Sequence, residues 1–102
     1  MILYSVTVNI DRAVHDEWLR WMIEKHVPDI LATGLFTEHK ILRLLNEEEN
    51  GGVTYSFQYF TESLENLEEY QTTYASALQK EHTERYKDRF VAFRTVLEVV
   101  AH

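Results

Sequence analysis

Residues 2–10, ILYSVTVNI, alternate strictly, with Ile2, Tyr4, Val6, Val8 and Ile10 on one side and Leu3, Ser5, Thr7 and Asn9 on the other. Period two over nine residues predicts a strand with one buried face. Asp11 follows as a cap, because its carboxylate can accept from the free N–H groups of a first helical turn. From about Arg12 the spacing becomes helical. Val14, Trp18, Met22 and His26 form one row at i, i+4, with Trp21 and Lys25 beside it and Asp16, Glu17, Arg20 and Glu24 among the polar positions. Pro28 lacks the N–H that would bond the Glu24 carbonyl and disfavours helical geometry at Val27, so the helix is predicted to kink or end near His26. A short second piece over 29–33 closes at Gly34, a left-handed cap. Residues 36–46, with Phe36, Ile41, Leu42, Leu44 and Leu45, read as a second strand. The acidic run Glu47 to Glu49 and the turn Asn50-Gly51-Gly52 join it to a third strand over 52–60, where Val53, Tyr55, Phe57 and Tyr59 alternate with Thr54, Ser56 and Gln58. A second helix begins near Thr61 or Ser63, acidic early and basic late as the macrodipole favours. Its inner stripe reads Leu64, Leu67, Tyr70 or Gln71, Tyr74, Leu78 and His82. A last strand over about 90–100 carries Val91, Phe93, Leu97 and Val99 on one side.

The order β-α-β-β-α-β with right-handed crossovers predicts an α+β fold, a four-stranded antiparallel sheet with two helices on one face. In this reading the first and third strands lie side by side and parallel. The helices that follow them then run in a common direction, and their C-terminal ends emerge at one edge of the sandwich. The uncovered sheet face is expected to show Leu3, Ser5, Thr7 and Asn9, then Thr54, Ser56, Gln58 and Phe60, then Phe90, Ala92, Arg94, Val96 and Glu98. Such a mixture is too apolar for plain solvent surface, which predicts a homodimer through the open sheet face.

Composition narrows the classes. A chain of 102 residues, 45% hydrophobic, holds one core, so residues 1–102 form a single domain. Ten Lys plus Arg against 17 Asp plus Glu leave a net charge of −7, which repels a phosphate backbone and argues against nucleic acid. No apolar run reaches the ~20 residues of a membrane helix, and the N-terminus lacks a signal-peptide pattern, so a cytoplasmic protein without membrane contact is expected. The absence of Cys excludes thiolate nucleophiles and Cys-ligated metals. There is no HExxH pattern or glycine-rich phosphate loop, so neither a metal site nor a cofactor is expected.

Candidate chemistry rests on His26 and His82, each on an inner helix row near a predicted C-terminus. By the topology above these tails share an edge with the starts of the first and third strands, where Tyr4 and Tyr55 face the helices. Four polar-tipped side chains then converge on one mouth, lined deeper by Trp18, Met22, Tyr74 and Leu78. An imidazole with pKa near 6.5 can accept or donate a proton near neutrality, and a tyrosine can hold an enolate or phenolate oxygen. In an enzyme, His26 is the expected proton-transfer group and His82 its partner. In a binding protein, the same pocket takes a small hydrophobic or aromatic ligand.

The segments WLRWMIEKHVPDILATGLF at 18–36, GGVTYSFQYF at 51–60 and KEHTERYKDRFVAFRTVLE at 80–98 resemble a bacterial family of short proteins catalogued as a domain of unknown function. That family is similar to the dimeric α/β-barrel superfamily, also called ferredoxin-like. The resemblance spans essentially the whole chain and implies a ferredoxin-like dimer, while the family brings no established activity. The superfamily includes cofactor-independent monooxygenases of the antibiotic-biosynthesis type, haem-degrading monooxygenases, muconolactone isomerase-like enzymes and ligand-sensing regulatory domains. The haem-degrading members use a late-helix histidine with a tryptophan and an asparagine. His26 or His82 and Trp18 or Trp21 are the implied counterparts, whereas Asn9 is expected on the other sheet face. A non-catalytic dimeric assembly or regulatory module is the remaining class.

Overall fold

The computed structural model describes residues 1–46 and 51–102, so the predicted acidic turn Glu47 to Asn50 lies outside the described residues. The chain forms β1 (Ile2–Asp11), a 3-10 turn (Arg12–Val14), α1 (His15–Trp21), a π-helical turn (Met22–His26), α2 (Val27–Leu31), β2 (Glu38–Arg43), β3 (Gly52–Thr61), α3 (Leu64–Thr73), α4 (Ala75–Arg85) and β4 (Phe90–Glu98). The strands make one sheet in the order β2-β3-β1-β4, antiparallel at every junction. All helices lie on one face, and the molecule is only 19 Å thick in its thinnest direction. That is the depth of a sheet and one helical layer, the ferredoxin-like arrangement.

One expectation fails here. β1 and β3 are neighbours but antiparallel, pairing Tyr4 with Tyr59 and Val8 with Tyr55. Each β-α-β unit joins two parallel strands that leave room for one between them, and the strand interleaved there runs the opposite way. The helices returning from β1 and β3 are therefore antiparallel too. Their tails lie at opposite ends of the sandwich, and no common rim exists.

The expected break near His26 takes an unexpected form. Asp11 caps the 3-10 turn, its Oδ1 accepting from Ala13 N at 2.9 Å. Ahead of Pro28 the helix widens, Val27 N–H bonding the Met22 carbonyl five residues back. One extra residue in the turn lets the chain reach the proline without stopping, a device common near functional sites. Gly34 ends the segment at φ +78°, where a Cβ is strained.

The second helix is interrupted where a continuous stripe was predicted. Ser63 caps its start, the hydroxyl accepting from Asn66 N at 3.2 Å. At Tyr74 the backbone leaves helical geometry, and α4 resumes with buried Ala75. The inner stripe consequently keeps Leu67, Tyr70 and His82 but not Leu64 or Tyr74, which are exposed.

β4 also departs from expectation, by one residue of facing. Its register sets Phe90 opposite Ile10, Ala92 opposite Val8 and Arg94 opposite Val6, all on the helix side. Val91, Phe93 and Leu97 thus lie on the open face, and Phe90, Ala92, Arg94, Val96 and Glu98 do not. Because strand side chains alternate, a shift of one residue exchanges the whole set. The inward-facing residues of β1 and β3 close over Trp18, Met22, Ile30, Leu67 and Tyr70 as one core.

Candidate functional site

Antiparallel helices passing across the sheet bring the two predicted histidines together by a route other than the one expected. His26 sits in the π-helical turn, well before the end of its helix, and His82 lies one turn from the end of α4. Their ring centroids are 5.6 Å apart, and both side chains are buried. Trp18 Nε1–H donates to His82 Nε2 at 2.9 Å. Phe90 presents its edge to the His82 ring at 4.4 Å. Trp21 stacks on His26 at 5.2 Å, and the Arg85 guanidinium lies over that indole at 5.4 Å from its centre. The result is an aromatic and imidazole cluster between the helices, with Trp21 and Arg85 as its outer cover.

Burial holds both imidazoles down to a pKa of about 4, and nearby positive charge adds to it, from His26 and Arg94 at His82 and from Lys25 and Arg94 at His26. Glu81 and Asp29 pull the other way on His26, yet both carboxylates are already engaged by Lys25. At neutral pH the pair is therefore uncharged. A neutral imidazole can donate or accept one hydrogen bond, but one with pKa near 4 is a weak base.

His82 has a partner, whereas His26 Nδ1 is buried without one, alone in this among the described residues. The His26 side chain borders a cavity of about 30 Å³ between the helices and the sheet, lined also by Tyr4, Tyr59, Tyr70, Gln79 and Arg94, with Met22, Ile30 and Phe57 as apolar wall. Arg94 and Gln79 face the Tyr4 hydroxyl. Burial raises the Tyr4 pKa, and Arg94 offsets part of the rise. Burial raises Tyr59 and Tyr70 as well, so all three phenols remain protonated donors at neutral pH.

Of the predicted pocket residues, the structure thus gathers His26, His82, Trp18, Met22 and Tyr4. Tyr55 lies at the opposite end of the sheet from Tyr4, as antiparallel β1 and β3 require, and its hydroxyl is 2.7 Å from His15 Nε2. Tyr74 is 37% exposed at the helix interruption and does not line the cavity. Arg94, Gln79, Tyr59 and Tyr70 were missed as site residues. The signal for Arg94 was its parity with Phe90 and Ala92, once Phe90 is known to face Ile10.

On the uncovered face, Val91 is 68% and Phe93 63% exposed, and Leu42, Leu44 and Leu97 are also exposed. Asn9 lies on this face too, its amide donating to Thr54 Oγ1 at 2.9 Å. A group as large as a porphyrin has no room beside His26. Ligand pockets of that kind run to several hundred Å³, the cavity beside His26 has about 30 Å³, and the rings of both histidines are packed against indoles. Among the described residues no helix is long and apolar enough to cross a membrane.

Comparisons with solved structures agree on the architecture. A dimeric ferredoxin-like protein from an uncultured marine organism superposes with a TM-score of 0.72 at 16% identity, covering 100% of this chain and 97% of that one. An arginine-to-serine variant of MhuD, with two manganese protoporphyrin IX molecules bound per active site, gives 0.70 at 16% identity over 100% and 97% of the two chains. An ethyl tert-butyl ether D (EthD) family protein from Bacillus halodurans gives 0.67 at 13% identity over 96% and 98%. At these identities the likeness concerns the fold. No curated protein matches the chain. Residues 1–100 match the family described as domain of unknown function DUF4286, and the chain belongs to that family.

Proposed function

We propose that the protein is a homodimeric binding protein for a small hydrophobic or aromatic molecule, whose polar group enters the space between sheet and helices beside His26. The observation that carries this reading is the unpartnered, buried His26 Nδ1 at the wall of the inner cavity. Leaving such an atom unpaired costs roughly 1–3 kcal/mol, a cost that a ligand's donor or acceptor removes. The cavity takes a functional group and no more, so the body of the ligand lies at its mouth. Trp18 supports the site by holding His82, and Met22 forms part of its wall. In a catalytic version His26 acts as a neutral hydrogen-bonding group toward a substrate oxygen, because burial keeps its basicity low.

The dimer rests on the open sheet face. Exposed Val91, Phe93 and Leu97 on β4 and Leu42 and Leu44 at the other edge leave more large apolar side chains in water than a lone solvent face needs, which a second copy would cover. The dimeric state of the marine ferredoxin-like protein supports the same association. Titration with 2-naphthol, a planar molecule with one hydroxyl, tests the pocket through the imidazole ¹⁵N resonances. His26 Nδ1 should shift on binding and His15 should not; an unmoved His26 resonance at saturation refutes the reading. Sedimentation at micromolar concentration should give a dimer, and a monomer refutes the association.

A further inference from the structure

We infer that the inner cavity reads a carboxylate, with Arg94 as the cation that selects it. The inference rests on the proposed binding role of the cavity and adds the chemical class of its ligand.

Arg94 stands on edge strand β4, on the helix-facing side, an exposed residue that also lines the cavity. The chain carries a net charge of −7, and the cations nearest the inner cluster are paired with acids. Arg85 reaches Glu17 at 3.8 Å, Arg89 reaches Asp11 at 3.0 Å, and Lys25 engages Asp29 and Glu81. Among the described residues no carboxylate pairs with Arg94, and none lines the cavity. A guanidinium left without an acid in so acidic a protein, beside a chamber free of carboxylates, is suited to an incoming one.

Behind Arg94 the donors converge. Tyr4 faces it with its hydroxyl, Gln79 offers an amide, and His26 supplies Nδ1 from the tautomer that carries its proton there. Each can give a hydrogen bond to an acceptor oxygen, and a carboxylate is acceptor-only with two oxygens. Size agrees with charge. A cavity of about 30 Å³, where roughly 10–15 Å³ suffices for one water, has room for a group of a few atoms such as an acid head and excludes a ring. The ring or chain of the ligand then lies outside, over the edge of β4, where Val96 on the same strand side is 46% exposed. Entry past an edge strand requires a swing of Arg94 and no opening of the helix layer.

Benzoate and benzamide, which differ in charge and little in shape, test this. Binding of each is followed by the His26 and Tyr4 resonances at low ionic strength, in the wild type, Arg94→Gln and Arg94→Lys. Benzoate should bind at least tenfold more tightly than benzamide to the wild type. The ratio should fall to about one in Arg94→Gln and be partly restored in Arg94→Lys, with far-UV circular dichroism confirming that each variant is folded. Equal binding of the two probes to the wild type, or a preference that survives in Arg94→Gln, overturns the carboxylate assignment and leaves the pocket standing. No response of His26 to benzoate, benzamide or 2-naphthol overturns both.

Discussion

The two faces of the sheet are built from the same strands, one residue out of step, and they are opposite in kind. The covered face is closed by aromatic rings around Trp18, which has no exposed surface, and its small cavity is lined by His26, whose buried Nδ1 has no partner. On the open face large apolar side chains stand in water, Val91, Phe93 and Leu97 on β4 with Leu42 on β2. Apolar residues on a strand therefore do not by themselves identify the core side. They identify a side that is covered by something, and here β1 and β3 are covered by the chain's own helices while the richest row of β4 awaits another surface. Assembly and ligand binding are assigned to opposite faces, so each can be altered without the other.

The largest effect expected belongs to the covered face. Trp18→Ala removes a buried indole and leaves His82 Nε2 without its donor, and should cost about 3–5 kcal/mol in urea unfolding. Trp18→Phe keeps most of the volume and loses the bond, so a loss nearer 1–3 kcal/mol is expected. Equal stability of Trp18→Ala and wild type would erase the distinction between the faces.

Acid probes the same cluster without mutation. His26 and His82 have pKa values of about 4 in the folded state against an ordinary 6.5 in the unfolded chain, so the unfolded chain binds protons first as pH falls. Their contribution to stability is complete above about pH 6.5 and is lost progressively down to about pH 4. The loss should approach 3 kcal/mol for one histidine, and less than twice that for the pair because each opposes the other's charge. Protonation of His82 Nε2 also removes the acceptor used by Trp18. Urea midpoints at pH 7 and pH 4.5 measure the effect, and His26 and His82 resonances that titrate near pH 6.5 would contradict it.

On the open face the expected effect is on association. Phe93→Asp places a charge in the proposed interface and should weaken the dimer by about 2 kcal/mol or more, roughly thirtyfold, with monomer stability nearly unchanged. Sedimentation equilibrium across a concentration series measures it. A variant that unfolds would return Phe93 to the core and reverse the comparison.

How far these faces could be read beforehand varied with the strand. The alternation of β1 and β3 defines their buried sides because polar residues fill every second place, from Ser5 to Asn9 and from Thr54 to Gln58. In β4 both sides carry apolar residues, and only pairing with β1 decides between them, so Arg94 was assigned to the wrong face and its place at the cavity went unseen. The helix positions of Trp18, Met22 and His26 follow from i, i+4 spacing. The meeting of His26 with His82 does not, since it depends on antiparallel helices that set the π-helical turn beside the last turns of α4. Pro28 announced a disturbance but not the π-helical turn, whose extra residue is a matter of tertiary fit. The interruption at Tyr74 had a local signal. Thr72, Thr73 and Tyr74 are three successive residues that lose rotamer freedom in a helix, and Thr72 Oγ1 donates back to the Glu68 carbonyl at 2.9 Å, a bond that bends helices.

Tyr74 supplies the smallest effect and the sharpest check on where the site ends. Its expected place in the inner stripe makes it a pocket wall, and Tyr74→Ala should then loosen both fold and ligand. With the side chain turned outward at the junction of α3 and α4, substitution removes a partly exposed ring that touches neither His26 nor Arg94. The change in stability should stay within about 0.5 kcal/mol, as for exposed positions generally, and benzoate affinity should be unaltered within twofold. Thermal unfolding with and without benzoate reads both quantities on one sample. Ala75, by contrast, is buried beside it, so Ala75→Leu should overpack the layer and cost about 1–3 kcal/mol. A large loss at Tyr74 with a small one at Ala75 would mean that α3 and α4 form the continuous stripe after all, with Tyr74 turned inward and the cavity wall extended toward it.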